Sequence, residues 1–310
     1  MSFEVSALTR LTENQTEAVM QLAFAAAAID EMAPLSEHVL IHLHHGGDDA
    51  DEHLVATTDS GKIIGYLHLD QTDTVAGSVV EVVVHPEYRR QGVGRELVES
   101  AIEKSNDPRM RLWAHGELTS AYTLAAKLGF AKTRELWQMR RSLFAPLPKA
   151  IDTSGITIRA FQVGIDEQPW LALNAKVFAD HPEQGRMSAQ DLAVRMSEQW
   201  FDPAGFLIAT QNQAGTEVMV GFHWTKVHGG AGSHGHSEIG EIYVLGVSPD
   251  LRGTGLAKLL SIRGLEHLRS KGLPAAMLYV DADNKAAISL YESLGFAHWD
   301  TDVMFRKSSE

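Results

Sequence analysis

The chain has 310 residues, 44% of them hydrophobic and 22% charged, with no cysteine and a formal net charge of −13. That length suggests two domains of about 100–200 residues each. The missing cysteines remove disulfide frameworks and thiolate metal sites, and the acidic balance argues against nucleic acid as a partner. An anionic ligand would have to be held locally, by backbone N–H groups and a few placed basic residues.

Residues 1–10 lack a basic region followed by an apolar run, so no signal peptide is expected. The apolar stretch 22–29 is too short to span a bilayer, and the expectation is a cytoplasmic protein with no membrane partner. The pattern predicts a helix over residues 16–29 and strands over 53–58, 63–69 and 79–85, set between turn residues such as Asp59, Ser60 and Gly61. A glycine turn follows, then a helix whose apolar face carries Val93, Leu97, Val98, Ala101 and Ile102. A strand (110–114), a helix (119–128) and a last strand complete the unit. Pro146, Pro148 and Gly155 mark a linker, which sets domains at 1–147 and 148–310. The same order then repeats: helix 170–178; strands 205–209, 218–225 and 238–247; a helix bearing Leu256, Leu259 and Leu260; strand 276–280; helix 285–294; and a closing strand. The fold class expected is α/β of the α+β type, two tandem copies of a mixed, largely antiparallel sheet flanked by helices. His42, His44 and His45, and His234 and His236 in the glycine-rich stretch 229–240, read as solvated loop residues, and no metal is expected.

The repeat can be tested residue by residue. Placing Pro86 on Pro249 puts Gly92 on Gly255 and Gly94 on Ala257; Leu128-Gly129-Phe130 then answers Leu294-Gly295-Phe296, and the strand around Gly65 answers that around Gly221. Both copies carry strand, Arg-x-x-Gly-x-Gly/Ala, helix: Arg89 to Gly94 and Arg252 to Ala257. The chemistry is anion capture, in which orphan N–H groups and the positive dipole end of a helix meet a pyrophosphate. A dinucleotide fingerprint fits poorly, because Lys258 stands where it requires glycine, and the P-loop spacing is absent.

This loop resembles the acetyl-CoA pyrophosphate loop of the GNAT acetyltransferase superfamily. Longer strings resemble one tandem GNAT family, mycothiol synthase, over nearly the whole chain: Ala33 to Glu37, Trp113 to Gly116, Arg134 to Arg141, His181 to Gly185, Trp200 to Pro203, Gly221 to His228 and Gly240 to Val247. The resemblance implies a transfer of acetyl from acetyl-CoA to the cysteinyl amine of cysteinyl-glucosaminyl-inositol, with another small-molecule or protein amine as the alternative acceptor. It implies that acetyl-CoA contacts Leu245, Gly246 and Val247, the loop Arg252, Gly253, Thr254, Gly255, Leu256, Ala257 and Lys258, and the segment Asn284, Lys285, Ala286, Ala287, Ile288 and Ser289. A second acetyl-CoA would lie in the first copy at Val82, Val83 and Val84 and at Arg90, Gln91, Gly92, Val93, Gly94 and Arg95. The acceptor would touch Glu37, Glu183, Lys226, Glu241 and Tyr279, and the enzyme is expected to act as a monomer.

The residue types suit that reaction. An α-amino group has a pKa of about 7.7–8.0, so a carboxylate need only take one proton, directly or through water. Glu241 is the candidate base; its alternative is a solvated strand-edge carboxylate. Gly246 interrupts an apolar strand: a bulge there would free N–H groups for the thioester carbonyl, and a packing glycine is the alternative. Tyr291 can protonate the leaving thiolate, unless its hydroxyl is capped. The triplet alignment sets Ala125 opposite Tyr291 and Leu118 opposite Asn284, so the first copy is expected to bind without catalysing.

Overall fold

A capping box between Thr12 and Gln15 starts helix α1 (Glu13–Asp30), and Ser36 caps α2 (Glu37–His45) by accepting from the Val39 N–H. The computed structural model describes residues 2–46, 50–149, 153, 155–179, 181–229 and 238–308; the side chains of residues 182 and 183 lie outside that set. Two compact units emerge, one of residues 1–137 with 300–310 and one of residues 138–299. Among the described residues no helix is long and apolar enough to cross a membrane.

In the first unit the strands run in the order β1 (Phe3–Leu8), β2 (Asp51–Thr58), β3 (Ile63–Asp70), β4 (Val79–Val84), β5 (Arg111–Ala114) and β12 (Ala297–Lys307). All neighbours are antiparallel except β4 and β5. Helices α3 (Val93–Ser105) and α4 (Thr119–Lys127) belong to the same unit. One core packs Leu54, Leu67, Leu97, Val98, Met110 and Phe305; a second packs Val19, Leu22, Ala26, Val39, Val55 and Tyr66. A Cβ on Gly65 would stand 2.7 Å from Val93 and 2.9 Å from Leu97, so the bare backbone of β3 lets α3 settle on the sheet.

In the second unit the order is the end of β6 (Phe130–Ser142, of which residues 138–142 belong here), β11 (Ala275–Asp281), β10 (Ile239–Val247), β9 (Thr216–His228), β8 (Phe206–Gln213) and β7 (Ile156–Ala160). Here β10 and β11 are the parallel pair. The helices are α5 (Glu167–Val177), α6 (Pro182–Gly185), α7 (Ala189–Ser197), α8 (Leu256–Ser270) and α9 (Lys285–Ser293). Trp170, Phe206, Phe222 and Trp224 form an aromatic core, and Ala209, Val220, Leu256 and Leu260 form another. Gly221 repeats the device of Gly65, with Leu260 3.0 Å from the position of a Cβ.

The expected α+β class and the largely antiparallel sheets hold. Several elements differ from the sequence expectation. Each copy begins with an edge strand, β1 or β7, ahead of its first helix. The segment carrying His42, His44 and His45 is helix α2, not a loop, and its Val39 and Leu43 are buried. The compact units also cross the sequence halves. Residues 138–147 pack with the second unit, and residues 300–310 pack with the first, where Val303 and Phe305 join the core. His234 and His236 lie outside the described residues, as does part of the expected linker.

Candidate active site

β10 leaves β11 partway along. Its register with β11 covers only residues 240–242, opposite residues 276–278. Beyond Ile242 the side of β10 away from β9 has no register partner on β11, and Leu245, Gly246 and Val247 lie on this stretch. A bulge sits at the point of departure: Ile242 pairs with Thr225 and Val244 with Trp224, so Tyr243 is the extra residue. The bulge is therefore not at Gly246. That glycine stays in register with Phe222, and an added Cβ would stand 2.3 Å from the Phe222 ring, so packing is the reason for it.

Downstream of β10, Gly253 and Gly255 hold φ of +78° and +88° in the turn before α8. Gly255 caps α8 without any side-chain hydrogen bond, which leaves the first N–H groups of the helix for a ligand. Arg252 is exposed and has no ion pair among the described residues. Thr254 accounts for itself: its hydroxyl donates to the Leu251 carbonyl at 2.8 Å. Lys258 and Ala257 are half-buried in the first turn, and Leu256 is buried. On the other side, Asn284 caps α9 by accepting from the Ala287 N–H at 3.1 Å. Lys285, Ala286, Ala287, Ile288 and Ser289 follow in its first turns, with Ile288 buried and Lys285 Nζ donating to the Ala282 carbonyl.

Glu241 is 6% exposed, so it is not a solvated edge carboxylate. His228 donates from Nε2 to its Oε2 at 2.5 Å. Directly across the ladder from Glu241 stands Lys226, 7% exposed, with its ammonium 4.5 Å from the Trp200 ring centroid and 5.2 Å from that of Tyr243. Arg195 donates to the Tyr243 hydroxyl at 2.9 Å and fixes that ring. Tyr291, on α9, is 8% exposed and has no hydrogen-bond partner among the described residues. Burial pushes its phenol up to about 12, which keeps it protonated. Tyr279 is 40% exposed and its hydroxyl accepts from Gln138 at 2.8 Å.

His228 and Trp200 have no role in the sequence reading. The signal for His228 is register: an antiparallel hairpin brings it to the end of β9 beside the start of β10. Glu37 opens α2, half-buried, in the first unit. The side chain of Glu183 lies outside the described residues.

The first unit repeats the strand–turn–helix geometry with different side chains at the matched positions. β4 pairs with β5 only at residues 79–81, leaving Val82, Val83 and Val84 without register partners on β5. Arg90 takes φ +64° where the second copy has Gly253, and Gly92, at φ +93°, begins α3 without a side-chain cap. Val93 is buried, Gly94 half-buried and Gln91 exposed. Arg89 is committed to Asp30 by two 2.7 Å bonds, and Arg95 to Glu99 at 2.9 Å. Leu118 caps α4 without a side-chain bond, and fully buried Ala125 occupies the place of Tyr291.

A family model described as Acetyltransferase (GNAT) family matches residues 171–296, and one described as Acetyltransferase (GNAT) domain matches residues 49–132. A mycothiol acetyltransferase of Acidothermus cellulolyticus is 49% identical over 299 residues, 93% of this chain and 90% of that protein. Among solved structures, a GCN5-related N-acetyltransferase from Sphaerobacter thermophilus superposes with a TM-score of 0.74 at 24% identity, covering 98% of this chain and 95% of the other. A tandem GNAT protein from the clavulanic acid biosynthesis pathway gives 0.73 at 18% identity, with both chains fully covered. These two share the fold. With two GNAT domains and relatives of this closeness along nearly its whole length, the chain belongs to the mycothiol acetyltransferase family of tandem GNAT proteins.

Proposed function

We propose that the protein is an acetyl-CoA-dependent N-acetyltransferase that acetylates the cysteinyl amine of cysteinyl-glucosaminyl-inositol, giving mycothiol and CoA. The observation that carries this reading is the departure of β10 from β11 beside the uncapped start of α8, with buried Glu241 on the same strand. Acetyl-CoA supplies an activated acyl group on a thioester; every other part of the chemistry is assigned to the chain. The N–H groups of Leu256, Ala257 and Lys258, with Arg252, hold the pyrophosphate. The open edge at Leu245, Gly246 and Val247 binds the pantetheine arm and donates to the carbonyl oxygen as charge develops there. Glu241, oriented by His228, takes the proton of the attacking amine, and Tyr291 gives one to the departing sulfur. Lys226, Tyr279, Glu37 and Glu183 receive the acceptor. The first copy, within residues 1–147, binds a second acetyl-CoA at Arg90, Gln91, Gly92 and Gly94 and does not catalyse; the copy within 148–310 does. The working form is a cytoplasmic monomer without nucleic-acid or membrane partners.

The test is acetyl transfer to cysteinyl-glucosaminyl-inositol by the wild type, Glu241→Gln and Tyr291→Phe. Wild-type turnover that falls in both variants, with acetyl-CoA still bound, supports the reading. Acetyl-CoA binding without turnover of this amine overturns the acceptor. Full activity of Tyr291→Phe overturns the assigned proton donor.

A further inference from the structure

The first unit holds a histidine cluster that the acetyl transfer does not use. His38 and His42 stand one turn apart on α2 and share a face; Asp51 opens β2, and His68 lies near the end of β3. Each of His38, His42 and His68 brings a ring nitrogen to within 4.8 Å of the others. His42 Nδ1 is 2.5 Å from Asp51 Oδ2, and His68 Nε2 is 3.9 Å from Asp51 Oδ1. The side chains of Asp51 and His68 are 1% and 2% exposed, and that of His42 13%. Buried ring nitrogens normally find a hydrogen bond. His68 Nε2 is buried and has none among the described residues, and His42 Nδ1 meets the Asp51 carboxylate as an ion pair without a well-aligned hydrogen bond.

We propose that His38, His42, His68 and Asp51 form a binding site for one divalent transition metal of the zinc class. Three imidazoles and a carboxylate are the donors that Zn²⁺, Co²⁺, Ni²⁺ and Cu²⁺ select, whereas Mg²⁺ and Ca²⁺ require oxygen cages. Metal–nitrogen bonds of about 2.0–2.1 Å place tetrahedral ligand atoms roughly 3.3 Å apart. Closing from 4.8 Å to that spacing takes rotation of side chains, since α2, β2 and β3 already face each other with the ligands between them. Outer partners stand where metal-binding imidazoles use them. Asp70 Oδ2 contacts His38 Nε2 at 3.3 Å, and the Tyr66 hydroxyl contacts His68 Nδ1 at 3.4 Å, which turns the unpartnered Nε2 toward the cluster. Packing alone accounts for the rings, whose centroids lie 4.0 Å (His38–His42) and 5.5 Å (His42–His68) apart. It does not account for nitrogens converging on one carboxylate. A bound ion would pin α2 to β2 and β3, so its effect is on the order and stability of that helix, not on acyl transfer chemistry.

The experiment uses the full chain, stripped with chelator and titrated with Zn²⁺ and, as a spectroscopic probe, Co²⁺. One equivalent is expected to bind and to raise the melting temperature, with visible Co²⁺ bands of a four-coordinate site; Mg²⁺ and Ca²⁺ have no such effect. His38→Gln, on the half-exposed side of α2, and His68→Gln should each weaken binding by more than about 100-fold, beyond the loss typical of an outer partner. X-ray absorption on the zinc-loaded wild type should show three imidazole ligands, a result independent of how any variant folds. The paired substitution His234→Gln with His236→Gln should leave the affinity unchanged. No stoichiometric binding overturns the site, and so does binding that survives His38→Gln and His68→Gln or vanishes with His234 and His236.

Discussion

Burial alone carries the Tyr291 phenol to about 12, because no charged or hydrogen-bonding neighbour among the described residues opposes it. A phenol in that state stays protonated, and so able to donate, throughout the neutral range. Tyr291→Phe keeps the ring packed against Phe296 (centroids 5.9 Å apart) and removes only the donor. The expected loss is about 10²–10⁴-fold in kcat, with acetyl-CoA affinity unchanged. Equal losses in kcat and in acetyl-CoA affinity would instead mark Tyr291 as a packing residue. Lys226 makes a different prediction. Its ammonium faces the rings of Trp200 and Tyr243 and lies across the ladder from Glu241. Cation–π contacts of this kind contribute about 0.5–2 kcal/mol. Lys226→Met keeps the stem and deletes the charge, so the KM for the amine should rise about tenfold or more while kcat changes little; a KM unchanged in steady-state kinetics sinks the assignment of Lys226 to the acceptor.

Strands and helices translate those residues into a site, and not all of the translation is visible in the sequence. The Arg-x-x-Gly-x-Gly/Ala turns could be read directly, because only a short list of structures needs positive φ before an amphipathic helix. The lack of a tyrosine and of an asparagine cap in the first copy was also legible, since Ala125 and Leu118 fall at the positions matched to Tyr291 and Asn284. Helix α2 was not legible as a helix: Glu37 to His45 is short and rich in histidine, and its two buried residues alone reveal the face. Nor was the bulge. Gly246 drew attention as the irregular residue, whereas the extra residue is Tyr243, and a bulge is set by register with the neighbouring strand. Gly246 answers to the Phe222 ring, and that is testable. Gly246→Ala places a methyl 2.3 Å from the Phe222 Cζ, an overpacking worth about 1–3 kcal/mol, which urea denaturation can read. Combining it with Phe222→Leu should recover part of the loss; strict additivity of the two would mean that the strain lies elsewhere.

At the scale of the whole molecule the last strand matters most, because no strand pattern announces which sheet it will join. β12 pairs residues 303–306 with residues 111–114 of β5, and its Val303 and Phe305 are 0% and 3% exposed in the first unit's core. Burying one such side chain contributes about 1.5–3 kcal/mol, so a chain ending at residue 299 should lose much of a typical stability of about 5–15 kcal/mol. Rapid proteolysis of the first unit in that truncation is the expected result; resistance equal to the full chain refutes it. β12 also brings Asp302 to His115, 3.0 Å from Nδ1, while Glu81 stands 3.1 Å from Nε2 and accepts from the Ser36 N–H at 2.6 Å. Burial opposes charge on both Glu81 and His115, and their mutual hydrogen bonds and attraction, with those of Asp302 and Ser36, outweigh it. Glu81 is held down at about 2 and His115 up at about 10. The signs then set a window. The contribution of Glu81 is complete above its ordinary 4.5 and is lost as pH falls toward about 2. The contribution of His115 is complete below its ordinary 6.5 and is lost as pH rises toward about 10. Both are full only between those ordinary values, so the urea midpoint should decline from about pH 6.5 into the alkaline range. His115→Gln should be less stable in the window and show a shallower alkaline decline, since the titrating group is gone. A variant that keeps the wild-type slope would place the alkaline sensitivity outside the Glu81–His115–Asp302 network.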